Sequence, residues 1–228
     1  LDSEKEYAIT AKGHNISTNY FDLRRFMPRV LGDVVPAELK ELGSFNFSGN
    51  TSIIGSELNT KSNLLSAIGQ AVVDLKMGNI DDFDNAYYNG NIVLKNFNLG
   101  KIANTTSLGK MTANLDFDGR GFSKNTVNTE ISGTVSSFNL EGYNYQNIMV
   151  SGNLKNPLFN GELSIDDPNL KMKFKGLIDA SKETNQLDFE AVVEYAELNQ
   201  LNFCARILPN CFNCCCISGS FDKVKISS

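Results

Sequence analysis

The chain has 228 residues, of which 41 % are hydrophobic and 21 % charged, with one His, no Trp and five Cys. That apolar content suffices to bury a core, which excludes a wholly disordered or collagen-like chain. A net charge of -5 offers phosphates no basic surface, which argues against nucleic-acid binding, and a single imidazole thins the menu of neutral-pH acid and base catalysis. No run of about 18 uncharged apolar residues occurs, and Leu1-Asp2-Ser3-Glu4-Lys5-Glu6 is unlike a signal peptide. Starting without Met and ending on the strand-like Lys223-Val224-Lys225-Ile226, the chain reads as an excised segment of a longer, exported protein. Its 28 Asn and 18 Gly suit positive φ in tight turns, and frequent turns imply many short strands.

In chain order, the lone His14 reads as a turn or surface residue. Asp22 to Met27 and Pro36 to Leu42 read as short helices, the second opened by Pro36 and closed by Gly43. Phe45 and Phe47 mark a strand, Asp81-Asp82-Phe83-Asp84 reads as a solvated turn rather than a calcium loop, and Ile92 and Leu94 mark a further strand. Leu99 to Leu108 reads as a third helix, closed by Gly109. Met111, Ala113, Leu115 and Phe117 then alternate with Thr112, Asn114, Asp116 and Asp118, which is a strand with one dry face.

The same period returns at Ile131, Gly133 and Val135, and at Ile148, Val150, Gly152 and Leu154. It returns at Phe159, Gly161, Leu163 and Ile165, pauses at Asp166-Asp167-Pro168-Asn169, and resumes at Leu170, Met172, Phe174, Gly176 and Ile178, with Lys171, Lys173 and Lys175 opposite. Leu187, Phe189, Ala191, Val193 and Tyr195 form one more apolar side. Strands following one another roughly every 9 to 17 residues leave no room for crossover helices, so the expected fold is all-β, mostly antiparallel, with a few short helices and one apolar face. Phe21 to Phe47 parallels Phe97 to Phe117 about 70 residues later, which suggests two imperfect copies of one unit, about 8–80 and 81–203, in an elongated sheet that grows by adding strands.

No phosphate loop, nucleophile elbow or zinc-protease motif is present, no cofactor is implied, and the expected protein is not an enzyme. Four Asn-x-Ser/Thr matches, at Asn15, Asn46, Asn50 and Asn104, are what chance supplies in so Asn-rich a chain. Cysteines occur only at 204, 211, 214, 215 and 216. Of these Cys211, Cys214, Cys215 and Cys216 are weak candidates for a metal, because one Cys-x-x-Cys knuckle followed by a run is not the usual two-knuckle zinc pattern. Disulfides and an idiosyncratic tail stay open beside it, and residues 204–228 form a separate Cys-rich segment with a final strand.

Three runs carry a resemblance: Gly90 to Lys101 with Leu108 to Thr112, Ile131 to Ile148, and Gly152 to Leu170. Over about residues 8 to 203 the chain resembles the TamB group of the AsmA-like superfamily; the segment from Cys204 departs from that pattern. The resemblance implies a large Gram-negative envelope protein, anchored in the inner membrane outside this segment and crossing the periplasm as a long, curled β-sheet with an apolar groove. It implies phospholipid movement toward the outer membrane, with phospholipid acyl chains as partners, and for TamB help in assembling outer-membrane barrel proteins.

A bare acyl chain crossing water faces a barrier on the order of 10 kcal/mol at about 0.8 kcal/mol per CH2, and a continuous apolar track would remove most of it. On this reading the track is lined by Met111, Leu115 and Phe117, by Phe159, Leu163 and Ile165, by Leu170, Met172, Phe174 and Ile178, and by Leu187, Phe189 and Val193. Periodicity alone favours the rival, a structural or adhesive β-sandwich with a filled core. A β-helix carbohydrate lyase also has many short strands, but would need converging acidic and basic groups that these scattered charges do not supply.

Overall fold

The computed structural model describes residues 8–26, 37–82, 84–123, 125–155, 158–179, 187–202 and 218–226. Twelve strands lie side by side in chain order: β1 (Ala8–Asn19), β2 (Ser44–Ile54), β3 (Glu57–Ser66), β4 (Gly69–Gly78), β5 (Tyr87–Asn98), β6 (Leu108–Arg120), β7 (Asn128–Leu140), β8 (Tyr143–Lys155), β9 (Leu158–Asp167), β10 (Leu170–Asp179), β11 (Leu187–Glu197) and β12 (Ser218–Ile226). Every neighbouring pair is antiparallel, and the sheet does not close, so β1 and β12 are its edges. The final strand expected after the cysteines is β12, hydrogen-bonded to β11.

Short helices interrupt this meander in two connections. Between β1 and β2 come α1 (Tyr20–Phe26) and a 3-10 turn (Ala37–Leu42), and between β5 and β6 comes α2 (Leu99–Ile102). Both connections start from an Asn that ends a strand: the Asn19 side chain accepts from the N–H groups of Phe21 and Asp22, and Asn98 accepts from Lys101. These acceptors satisfy N–H groups that a first turn leaves unpaired. The 3-10 turn ends at Gly43, whose φ of 66° suits glycine. α2 is shorter than its sequence suggests: Asn104 takes a φ of 49° just after it, and the chain is extended again from Leu108.

Cross-strand register makes the two faces chemically distinct. One row runs Ala71, Leu94, Ala113, Val135, Ile148, Ile165, Met172, Val193 across β4 to β11. On the opposite face a row runs Lys61, Asp74, Asn91, Asp116, Ser132, Ser151, Glu162, Lys175, Glu190. That wet face is tied by Lys61–Asp74 and Lys175–Glu162 ion pairs, both at 2.7 Å, and by Asn91 donating to Asp116 at 2.8 Å. Lys171, Lys173 and Lys175 are exposed there, as their alternation predicts.

Just beyond the Ala71–Val193 row, toward the helical end, the strands carry extra residues at one level. Register shifts fall between Leu94 and Phe97 on β5, between Val135 and Ser137 on β7, and between Val193 and Tyr195 on β11, while Asn147 on β8 has a φ of 51°. A bulge bends its strand, raises local twist and flips the side-chain phase. Phe97, Phe138 and Leu140 therefore turn to the apolar face, out of step with Leu94 and Val135. Ala196 does the same on β11, so Tyr195, expected on the apolar side, faces outward, donating to Glu197.

The apolar face gathers three clusters. Near the helices, Leu42, Phe45, Ala71, Leu94 and Phe97 pack with Leu23, Leu39, Leu99 and Ile102. At the opposite end of β4 and β5, Met77, Ile80, Ala86 and Tyr88 pack with Phe117. The third, on β6 to β11, is built on Val135, Tyr145, Ile148, Ile165 and Leu170 and covered below by Leu201. No large side chain among the described residues is completely enclosed, as expected of a single sheet with no second sheet against it.

Candidate functional site: an apolar trough on strands β6 to β11

The third cluster leaves a cavity of about 690 Å³ on the apolar face. Its wall is contributed by six consecutive strands, from Met111 on β6 to Val193 and Ala196 on β11, and by Leu198 and Leu201 just after β11. Laid flat, six strands would spread over about 24 Å. One cavity touches all of them, and the bulges aligned beside it bend β5, β7 and β11 at one level.

Seven residues expected from the sequence line this space: Met111, Leu115, Leu163, Ile165, Leu170, Met172 and Val193. Four others lie on the same face but outside the lining. Phe117 belongs to the cluster at the far end, 6.1 Å from the Tyr88 ring, and Phe174 is buried against Phe189, centroid to centroid 5.1 Å. Phe159 lies over glycines next to the cavity. Ile178 and Leu187 are opposite one another in register, and their side chains lie outside the described residues.

The lining also holds residues that simple alternation does not place there. Phe138, Leu140 and Tyr145 enter because of the β7 and β8 bulges, Ala196 because of the β11 bulge, and Leu198 and Leu201 from a turn. Ile131, Val135, Ile148 and Val150 complete it, from strands whose period was visible.

Asp167 and Tyr143 lie outside the lining of the cavity. Asp167, in the pause between two alternating runs of the sequence, is buried and accepts from the Tyr143 hydroxyl, the Gln146 N–H and the Asn169 N–H. Burial, and then the hydrogen bond to Asp167, raise the Tyr143 phenol above its ordinary pKa; burial followed by the Asp167 charge does the same to Tyr145. The two rings meet edge to face at 4.7 Å. This knot pins the β7–β8 and β9–β10 turns together.

Chemistry elsewhere is sparse. His14 stacks on Phe47 and hydrogen-bonds Thr51, within a chain of hydroxyls that continues through Thr60 to Ser62. It is part-buried rather than a free surface residue. Asp82 caps its own turn by accepting from Asp84 and Asn85 N–H groups. Among the described residues no cluster of His, Cys, Asp or Glu is placed to hold a metal, and no helix is long and apolar enough to cross a membrane. Cys204, Cys211, Cys214, Cys215 and Cys216 lie outside the described residues. Comparison with protein-family models, with curated proteins and with solved structures finds no match.

Proposed function

We propose that this chain is a lipid-handling segment of an AsmA-like, TamB-type envelope protein, which shields acyl chains in its apolar trough as they move between the inner and outer membranes across the periplasm. Assistance to outer-membrane protein assembly is a second use of the same face, since an unassembled membrane strand also needs apolar cover. The observation that carries the reading is the cavity on β6 to β11, whose volume of about 690 Å³ falls within the range of roughly 300–1,000 Å³ common for small-molecule sites and whose lining is almost wholly apolar. A site without charges or convergent hydrogen-bonding groups favours hydrocarbon and performs no reaction on it; transport is by solvation. Met111 and Met172 add adaptable contacts.

Delipidated protein should take up a fluorescent fatty-acid analogue, and protein purified from an envelope fraction should carry phospholipid in native mass spectra. A protein that does neither has a closed face, and the proposal falls.

A further inference from the structure

The trough has a defined end. The cross-strand row beyond Leu163 reads Phe117, Ile131, Gly152, Gly161, Gly176, Phe189, so three successive strands present glycine to the apolar face. The sheet is too tight there for anything larger: a Cβ on Gly161 would collide with the Ser151 carbonyl oxygen and stand 2.6 Å from the Gly152 Cα. Bare backbone of this kind would prolong the trough as a smooth floor.

One ring lies on that floor. Phe159, two residues before Gly161 and on the same face of β9, places its Cε2 2.9 Å from where a Cβ on Gly152 would be and its Cζ 2.8 Å from the corresponding point at Gly161. An aromatic ring covering glycines on a sheet is a known way of restoring lost contact. Phe159 is only half-buried, with no side chain on either glycine to lock it, whereas Phe174 is buried against Phe189.

We infer that Phe159 is the end stop of the trough and sets the longest saturated alkyl chain it shields, an inference that rests on the acyl-chain reading above. Removing the ring exposes one further row, about 7 Å of floor at two residues along a strand. Because the lining is almost wholly apolar, affinity is governed by chain length, rising about fourfold per CH2 while each added carbon is covered and levelling off once carbons project past the stop.

The test is displacement of a fluorescent fatty-acid analogue from the delipidated full chain by saturated fatty acids of about eight to about twenty carbons, the slope per carbon being compared with that fourfold step. Wild type should show the rise and a plateau. Phe159→Ala and the more conservative Phe159→Leu should move the plateau to longer chains while leaving the affinity of shorter ones within about twofold, and Phe159→Trp should move it to shorter chains. Phe159→Leu and Phe159→Trp keep the glycines covered, so the shift is readable even if Phe159→Ala does not fold. A plateau at the same length in wild type, Phe159→Leu and Phe159→Trp overturns the inference while leaving the trough intact; absence of binding by wild type at every length overturns the acyl-chain reading itself.

Discussion

The two halves of the apolar face share one alternating pattern and use it differently. On β2 to β5 the face is covered: Leu23 from α1, Leu39 and Leu42 from the 3-10 turn, and Leu99 and Ile102 from α2 lie against Ala71, Leu94 and Phe97. On β6 to β11 the β7–β8 and β9–β10 turns at the same end are two residues long, too short to bring a helix over, and the face keeps a cavity. Among the described residues, helices from the β1–β2 and β5–β6 connections cover the first half, and the two-residue β7–β8 and β9–β10 turns put none over the second. The β1–β3 margin differs again, for there Thr51, Thr60 and Ser62 occupy positions that hold Leu75, Val73 and their neighbours on β4.

That contrast can be broken by truncation. Leu42→Ala removes a side chain only 4 % exposed from the covered half and should cost about 2–4 kcal/mol in urea unfolding, whereas Leu163→Ala, on the wall of an existing cavity, should cost about 1 kcal/mol. Equal losses would mean that both halves are packed alike. Asp167→Asn should come next, at about 2 kcal/mol, because it replaces a buried carboxylate that accepts three hydrogen bonds, from Tyr143, Gln146 and Asn169. Its effect should be confined to the β6–β11 half, read as faster amide exchange around the 141–142 and 168–169 turns.

Most of the architecture could be read from the chain before any coordinates. Strands β6 to β11 announce themselves by period two, and the apolar side of Met111 to Phe117 and of Leu170 to Phe174 falls where alternation puts it. Strand β3 was invisible because Thr60 and Ser62 interrupt its apolar side, and β1 because its register shifts between Ala11 and His14. Four residues of the cavity wall, Phe138, Leu140, Tyr145 and Ala196, escaped for one physical reason: a bulge inverts phase within a strand, so they looked misplaced. Nothing local in the sequence marks such a bulge, which is fixed by the register of both neighbours. The coverage by helices escaped for a similar reason, since it depends on which face a connection falls back upon.

Smaller effects sharpen the comparison further. The Tyr143 and Tyr145 phenols have pKa values raised above the unfolded value of about 10, so the folded state holds these protons more tightly. Their contribution to stability is complete below that pH and is lost as pH rises through the folded values, because the unfolded chain then releases protons first. Thermal unfolding should show this alkaline loss in wild type and a smaller one in Tyr143→Phe. Least of all, Lys175→Ala should leave the melting temperature nearly unchanged, although Lys175 lowers the Glu162 pKa, because both groups are fully exposed and screened. A large change there would mean that the wet face contributes more than solvated charge.

Methionine methyl groups give the most direct reading of the open half. Met111 and Met172 line the cavity, Met77 sits in the cluster at the far end of β4, and Met149 projects from the wet face, 59 % exposed. In a methyl spectrum of delipidated, methionine-labelled protein titrated with a long-chain saturated fatty acid, Met111 and Met172 should shift together and saturate while Met77 and Met149 stay in place. Resonances of Met111 and Met172 that do not move, or that move no more than Met149, would contradict an open trough on β6 to β11.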